Sequence, residues 1–171
     1  MTDSPRWHNP AVLDDMFLYH LARLQAAAGS MVVRLCEGGY GITRREWRLI
    51  GLLAELGDLQ PSQLAIEAQL DRTRTSRVIT ALTTKGLVQR LSQPGDARRA
   101  CVRLTASGHA LHAELFPQIQ SINLELMSAV PPAELQALAS AFARIRAKAA
   151  EMDHQRSLPK AQRSRRNPPR S

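Results

Sequence analysis

Little in this 171-residue chain points to covalent chemistry. It contains only two cysteines, Cys36 and Cys101, which lie too far apart in sequence to form a metal-binding or redox motif. It also lacks the nucleophile elbow G-x-S-x-G, a phosphate-binding loop, the zinc-binding H-E-x-x-H helix and the dinucleotide motif G-x-G-x-x-G. These absences argue against an enzyme, and we expect neither a cofactor nor a metal.

Long hydrophobic runs are missing as well. Charged residues interrupt every apolar stretch within a few helical turns, which argues against a membrane-spanning helix. The first residues do not follow the basic, apolar, small-residue order of a secretory signal, so we expect a cytoplasmic protein with reduced thiols. Because 44% of the residues are apolar, the chain can build one core, or one core extended by helices that need a partner.

Two regions carry most of the excess positive charge. The net charge is +8, and the acid-free segment 154–171 supplies six of these charges. This segment has no apolar periodicity, so we expect a disordered basic tail. Residues 61–99 carry a local net charge of +4 and coincide with predicted secondary structure. Localised charge on a folded element is the better indication of contact with phosphate groups.

Two short helices are predicted inside this second basic region. Apolar spacing predicts one helix from Pro61 to Ala68 and, after a tight turn, another from Arg72 to Lys85. Asp71 is suited to cap the second helix, and Gly86 is suited to end it. Helical spacing directs the arginines of the second helix toward solvent, which is the arrangement of a recognition helix.

A hairpin is predicted directly after the two helices. The segments 87–91 and 100–104 alternate as strands on either side of a turn at Pro94-Gly95, with Arg98 and Arg99 just past the turn. A helix that fits the major groove beside a basic ribbon is what duplex DNA requires. The sequence therefore predicts double-stranded DNA as a partner.

Longer amphipathic helices flank this region. Asn9-Pro10 predicts the start of a helix that runs to Gly38-Gly39, about 40 Å at 1.5 Å per residue. Thr43 and Glu46 form a capping-box pair that opens the next helix, which ends near Gly57.

After the hairpin, Thr105 opens a helix to about Ser128, with a kink expected at Pro117, and Pro131-Pro132 opens a last helix. The first helix and the two helices after the hairpin carry apolar stripes outside a compact helix-turn-helix. Pairing with a second chain is the simplest way to bury such stripes. The residues that we expect a homodimer to bury are Leu13, Phe17, Leu21, Leu135, Leu138 and Phe142.

Several of these residues occur in an order that resembles a known family. The matching pieces are Ile42-Thr43, Glu46-Trp47, Leu64-Ala65, Asp71-Arg72-Thr73, Leu82, Lys85-Gly86-Leu87-Val88, Asp96-Ala97-Arg98-Arg99, Leu104-Thr105 and Gly108. Over about residues 10–152 the chain resembles the multiple antibiotic resistance regulator (MarR) family. The resemblance implies a winged helix-turn-helix homodimer, usually a repressor, whose affinity for DNA falls when a small molecule binds. A departure is Thr75, where many relatives carry an aliphatic residue.

The fold class expected from this combination is mainly α with a small β-hairpin wing, with dimerisation helices at both ends. We expect an N-terminal arm at 1–9, a helical dimerisation region at 10–36 and 106–152, a DNA-binding domain at 43–104 and the basic tail at 154–171.

The candidate DNA-binding residues lie on the two short helices and the hairpin. The resemblance assigns Thr73, Arg74 and Arg77 to the recognition face, Arg98 to the wing and Asp96 to its acidic partner. Arginine can read guanine in the major groove, and on a narrow ribbon it suits the minor groove of A·T-rich DNA. The full candidate set is Ser62, Gln63, Arg72, Thr73, Arg74, Ser76, Arg77, Asp96, Arg98 and Arg99.

The resemblance also implies a pocket for an effector between the dimerisation helices and the DNA-binding domain. The candidate ligand-binding residues are His8, Phe17, His20, Trp47 and Arg48, with Trp7 nearby in sequence. Apolar walls with an arginine and a histidine suit an aromatic carboxylate, because guanidinium pairs with carboxylate in a planar fork. The sequence Glu46-Trp47-Arg48 is similar to the corresponding sequence in family members that control the breakdown of aromatic acids. Two alternatives stay open: the effector is a different organic compound, or the protein has no physiological ligand.

Three alternatives remain. The protein could sense oxidants through Cys36 or Cys101, although Cys36 lies at the end of a helix, where the dipole opposes a thiolate. The basic tail could be the main binder of nucleic acid. His109 and His112 could form half of a metal site, but no neighbour of suitable spacing completes it, so we interpret them as structural.

Overall fold

The computed structural model describes residues 6–93 and 96–155, apart from the side chains of residues 92–93, 96–99 and 154. Its elements are α1 (Phe17–Arg34), α2 (Arg44–Leu56), α3 (Pro61–Glu67), α4 (Arg72–Thr84), β1 (Val88–Gln93), β2 (Asp96–Leu104), α5 (Ala106–Met127) and α6 (Pro132–Gln155). A 3-10 turn at Leu13–Asp15 precedes α1, and a π-helical turn at Leu35–Gly39 extends it. The expected fold class, mainly α with one antiparallel hairpin, is confirmed.

The entry to α1 differs from the prediction. The helix begins at Phe17, so the predicted start at Asn9-Pro10 was wrong. The carboxylate of Asp15 accepts three backbone N–H groups between residues 6 and 12, at 3.0–3.2 Å. The hydrogen bonds from Ala11 and Arg6 lower the pKa of Asp15. They hold the preceding segment in a loop, and because one of them reaches back nine residues, local capping rules do not detect it.

The helices of the helix-turn-helix begin where local capping predicts. The Thr43 hydroxyl accepts the Glu46 N–H at 3.2 Å, and the Glu46 carboxylate accepts the Thr43 N–H at 2.6 Å. This is the predicted capping box, and Gly57 ends α2 with a positive φ of 77°. Asp71 caps α4 by accepting the Arg74 N–H at 2.8 Å. Each cap satisfies backbone donors that a helix terminus otherwise leaves without a partner.

Thr75 packs well despite its departure from the aliphatic residue of many relatives. It is buried on the inner face of α4 with Ile79 and Leu82, as predicted. Its hydroxyl donates to the backbone carbonyl of Asp71 at 3.0 Å. Because the polar group is satisfied inside its own helix, burying this side chain leaves no unpaired hydroxyl in the core.

The hairpin is longer than the predicted strands and has a third, short partner. β1 and β2 pair antiparallel from Val88 opposite Leu104 to Leu91 opposite Cys101, with an irregularity after Leu91. Leu59, in the loop after α2, forms a bridge to Val102, with N···O distances of 2.8 and 3.2 Å. The base of the hairpin is thereby fixed to the helical core. The predicted turn at Pro94-Gly95 lies outside the described residues.

Gly108 allows the first turn of α5 to lie directly against the start of the hairpin. A Cβ atom at this position would clash with the carbonyl oxygen of Leu87 and would come within 3.1 Å of a methyl carbon of Leu104. The Thr105 hydroxyl accepts the Gly108 N–H at 3.1 Å and donates to the Gly86 carbonyl at 2.7 Å. A glycine is therefore required for this close approach, which explains its place in the matching motif.

The buried core lies in the helix-turn-helix region and its immediate neighbours. It draws on α2, α3, α4, both strands, the π-helical turn and one residue of α5. Its members are Cys36, Ile42, Leu49, Ile50, Leu53, Leu64, Ala68, Ile79, Leu82, Leu87, Val88, Val102, Leu104 and Leu115. This core fixes the orientation of α4 relative to the hairpin.

The chain divides into two compact units, Met1–Met127 and Ser128–Ser171. In the second unit α6 begins at Pro132, as predicted, and Leu135, Phe142 and Ile145 are exposed on it. Pro117 lies inside α5, which continues past it to Met127. Within the described residues, no helix has the combined length and apolar character that crossing a membrane requires.

Candidate functional site

The outer face of α4 presents a row of polar and basic side chains. Thr73, Arg74, Ser76 and Arg77 are exposed, as predicted, and Arg72 is exposed as well. Among the described residues, neither Arg72 nor Arg77 has an ion-pair partner or a side-chain hydrogen bond. Arg74 differs, because its Nε lies 3.3 Å from the Asp71 carboxylate, which holds its guanidinium near the first turn. Unpaired arginines on a rigid helix are free to bind an external anion.

A cleft of about 610 Å³ lies beside this face. Ser62, from the start of α3, Arg72 and Ser76 line it, as does Arg90 of β1. Hydroxyl and guanidinium groups around one cleft are typical phosphate contacts. Sequence reasoning counted the charge of Arg90 but missed its position. The signal was available, because Arg90 lies on the strand that leaves the recognition helix.

Gln63 is less free than the prediction assumed. Its side-chain oxygen accepts the Gln60 N–H at 3.0 Å and so caps α3. The predicted wing residues Asp96, Arg98 and Arg99 have side chains outside the described set, so their roles stay predictions.

The base of the wing is braced by a bidentate ion pair. The Nε of Arg103 in β2 lies 2.8 and 3.0 Å from the two carboxylate oxygens of Asp58. The hydrogen bonds from Arg103 lower the pKa of Asp58. Together with the bridge between Leu59 and Val102, this pair sets the direction in which the hairpin leaves the core.

The other end of α4 is fixed to the turn before α2. The ammonium of Lys85 donates to the Gly41 carbonyl at 2.8 Å and to the Glu46 carboxylate at 2.9 Å. Burial opposes ionisation of Glu46, but the hydrogen bonds from Lys85 and Thr43 outweigh it and lower the pKa of this carboxyl. Tyr40, beside Gly41, donates its hydroxyl hydrogen to Glu114 of α5 at 3.0 Å. These polar contacts link α4 to α2 through Lys85, and they link the turn before α2 to α5 through Tyr40.

An aromatic cleft of about 560 Å³ lies between α2 and α5. The Trp47 and His112 rings stack with centroids 5.4 Å apart and planes 13° from parallel, and Phe116 lies 5.3 Å beyond His112. Arg48 and Glu55 also line the cleft. Burial lowers the pKa of His112, with a smaller contribution from the charge of His109. Burial thus favours the uncharged form of the ring stack, and the cleft also contains one arginine, Arg48, and one carboxylate, Glu55.

The remaining predicted ligand-binding residues lie elsewhere on the chain. Trp7 contacts Phe17 edge to face at 5.4 Å between centroids, and its ring lies 6.3 Å from that of His20. His20 also hydrogen bonds to the backbone carbonyl of Asp14. Neither Phe17 nor His20 is among the residues that line the aromatic cleft, and His8 is exposed. The structure therefore places Phe17 and His20 in one cluster and Trp47 and Arg48 in another. To the second cluster it adds His112 and Phe116, which sequence reasoning did not include as ligand-binding residues.

Cys36 has little of the character of a redox sensor. Cys36 is fully buried, and burial raises the pKa of its thiol, with a smaller contribution from Glu37. Cys101 lies on β2 and is partly buried. Since the thiolate is the reactive species, burial of Cys36 opposes oxidation. In the described part of the chain, no group of three His, Cys, Asp or Glu side chains is arranged to hold a metal ion.

Comparison with known proteins identifies this arrangement. Residues 40–99, which carry α2, α3, α4 and the first half of the hairpin, match the family model described as MarR family. In this segment the chain is similar to the MarR family. The members of this family are transcriptional regulators.

Curated relatives with similar sequences are also transcriptional regulators. The HTH-type transcriptional regulator FarR of Neisseria gonorrhoeae is 38% identical over 78 residues, 46% of this chain and 53% of FarR. The homoprotocatechuate degradative operon repressor of Escherichia coli is 28% identical over 119 residues, 69% of this chain and 80% of the repressor. The chain therefore matches only about half the length of FarR.

Solved structures extend the similarity over most of the chain. NadR in complex with 4-hydroxyphenylacetate is 27% identical, with a TM-score of 0.65, over 80% of this chain and 97% of NadR. The winged helix-turn-helix architecture of this chain is thus shared with NadR, which was solved in complex with 4-hydroxyphenylacetate.

Proposed function

We propose that this chain is a homodimeric, sequence-specific DNA-binding repressor. In this proposal a small aromatic ligand with a carboxylate or phenol group releases it from a near-palindromic operator. The observation that carries the proposal is the exposed face of α4, where Arg72 and Arg77 flank the hydroxyl groups of Thr73 and Ser76. These are donor types that contact phosphates and base edges, and the buried core beneath them holds the helix rigid.

A second copy is supported by the apolar surface that one chain leaves exposed. Leu13 is 62% exposed, and Phe142 and Ile145 of α6 are 43% and 44% exposed. Burying such side chains against a partner contributes about 25 cal/mol per Å² of apolar surface. A two-fold dimer would present its two recognition helices about 34 Å apart, to half-sites on successive turns of one duplex.

The DNA-binding part is tested by selecting duplexes from a randomised pool and comparing variants on the selected sequence. We expect Arg77→Ala to cost about 1–3 kcal/mol of binding free energy and to relax the preference at one base position, if Arg77 reads a base. Arg45→Ala is the matched control, because it removes the same charge from an exposed position on α2. Equal weakening by both variants, on selected and random duplexes alike, would refute specific recognition by this face.

The aromatic cleft supports the ligand part of the proposal. Its stacked Trp47 and His112 suit a flat ring, and Arg48 suits an acidic group. The complex of NadR with 4-hydroxyphenylacetate is consistent with an aromatic acid, and this compound is the natural first probe.

Calorimetric titration of the purified chain with 4-hydroxyphenylacetate tests this part. We expect saturable binding that Trp47→Ala weakens about tenfold or more, since aromatic contacts each contribute about 0.5–1.5 kcal/mol beyond the area that they bury. Trp7→Ala is the control for a tryptophan in the other cluster. If Trp7→Ala abolishes binding and Trp47→Ala does not, the ligand occupies the N-terminal cluster instead.

A further inference from the structure

Arg48 contacts two functional parts of the molecule at once. It lines the aromatic cleft beside Trp47, and its Nη1 donates to the carbonyl of Ala68 at 3.0 Å. Ala68 is fully buried and is the C-terminal cap residue of α3. Among the described residues that line the cleft, Arg48 alone has a permanent positive charge. The same guanidinium group therefore lines the aromatic cleft and supports the helix-turn-helix.

The turn that Arg48 supports is a strained one. Gln69 follows Ala68 with a φ of 53°, and it is the only described residue other than glycine with a positive φ. Left-handed backbone is unfavourable for a residue with a Cβ atom and persists only where the surroundings hold it. Here the Leu70 N–H donates to the Ala65 carbonyl at 3.0 Å, and Arg48 holds the carbonyl at the start of the turn.

This turn determines where the recognition helix begins. The residue that follows it is Asp71, which caps α4 and also pairs with Arg74. A change in the turn would therefore displace the first residues of α4, among them Arg72 and Thr73, which lie on the exposed face. These first residues are the ones that a recognition helix uses to reach base edges.

We propose that Arg48 is the positioning residue through which an acidic ligand in the aromatic cleft loosens the turn between α3 and α4. This inference rests on the proposed function, because it assumes that the cleft binds such a ligand. A carboxylate is a stronger partner for guanidinium than a neutral carbonyl, and it can accept two parallel hydrogen bonds. When the ligand takes the guanidinium, the buried Ala68 carbonyl loses its donor and the strained turn relaxes. The recognition helix then loses its DNA-binding geometry.

The first test compares two ligands that differ in charge only at the group facing Arg48. The probes are 4-hydroxyphenylacetate and the uncharged alcohol 2-(4-hydroxyphenyl)ethanol, added at saturation to the complex with the selected duplex. For the unmodified chain we expect the acid to lower DNA affinity about tenfold or more, within the usual range of allosteric coupling, and the alcohol to have little effect. Equal effects of acid and alcohol would overturn the role of the carboxylate.

The second test removes the guanidinium. We expect Arg48→Gln to lower DNA affinity without any ligand and to abolish the further effect of the acid. Arg45→Gln is the same substitution three residues earlier on α2, and it should leave both properties unchanged. If Arg48→Gln binds DNA and responds to the acid like the unmodified chain, the proposal is wrong.

A third measurement needs no ligand and separates this inference from the proposed effector. We expect the amide hydrogen of Leu70 to exchange about two- to tenfold faster in Arg48→Gln, which corresponds to losing one ordinary hydrogen bond at the turn. Arg45→Gln should not change this rate. Unchanged exchange in Arg48→Gln would overturn the support of the turn by Arg48, whereas failure of the acid to bind the unmodified chain would refute only the choice of effector.

Discussion

The helix-turn-helix region and α1 differ in where their apolar side chains lie. In α2 the residues Leu49, Ile50 and Leu53 are buried, whereas α1 has no buried residue and its Leu18 is 76% exposed. The first region is thus held together by contacts within one chain. The second leaves apolar side chains exposed, and in the proposed dimer a second chain would cover them. The difference indicates that the helix-turn-helix folds on contacts within one chain, whereas the exposed side chains of α1 fit the proposed association.

The largest expected effect comes from opening the core of the helix-turn-helix. Ile79→Ala removes a fully buried side chain, and we expect it to cost about 2–5 kcal/mol of unfolding free energy. Ile66→Ala is the matched control on the exposed side of α3 and should change stability by less than about 0.5 kcal/mol. Denaturant unfolding at fixed protein concentration measures both. Similar losses for the two variants would show that the core is misassigned.

The next effect concerns association. Ile145→Glu places a charge on the apolar stripe of α6, and we expect it to weaken a dimer at least about 100-fold, or about 2.7 kcal/mol, with little change in the helix-turn-helix core. Leu56→Glu is the control at an exposed leucine that ends α2. Sedimentation equilibrium over a range of concentrations provides the readout. If the dimer withstands Ile145→Glu but dissociates with Leu56→Glu, the interface lies near α2 and not on the apolar stripe of α6.

A smaller effect is expected at the contact between α4 and α2. Lys85→Ala leaves the buried Glu46 carboxylate without its ion partner and should cost about 1–3 kcal/mol, nearer the lower figure because the lysine is partly solvated. The contribution of this pair is present above the ordinary carboxyl pKa of 4.5 and is lost as the pH falls through the lowered pKa of folded Glu46. The difference in unfolding free energy between the unmodified chain and Lys85→Ala should therefore decrease as the pH is lowered. In the Glu46→Gln background the same lysine substitution should cost less and show no such pH dependence.

The smallest effects concern helix capping, where α1 and α2 differ again. Thr43→Ala removes the side chain that caps α2, and we expect a loss of about 1 kcal/mol. Met16 stands at the cap of α1 in extended backbone and offers no side-chain hydrogen bond, so Met16→Ser should stabilise by a few tenths to about 1 kcal/mol. Thermal unfolding of the two variants checks the opposite signs. If Met16→Ser lowers stability, the packing of the Met16 side chain contributes more to stability than a serine cap does.

The sequence predicted those parts of the fold that local chemistry decides. Thr43 with Glu46, Asp71 and Gly86 set helix ends by bonding to residues three or four positions away, and the recognition helix followed directly from them. The start of α1 escaped prediction because the hydrogen bond from Arg6 to Asp15 spans nine residues. The same limit applies to the candidate site. The arginine face could be read from helical spacing, whereas the stacking of Trp47 on His112 joins residues of two helices that only the folded chain brings together.

The bare backbone of α5 at Gly108 has a mechanical consequence. No side chain separates α5 from the carbonyl of Leu87 at this position. Because main chain lies directly against main chain, we expect a displacement of the first turn of α5 to be passed to the start of the hairpin. A bulkier residue at position 108 would force the two elements apart and weaken this coupling.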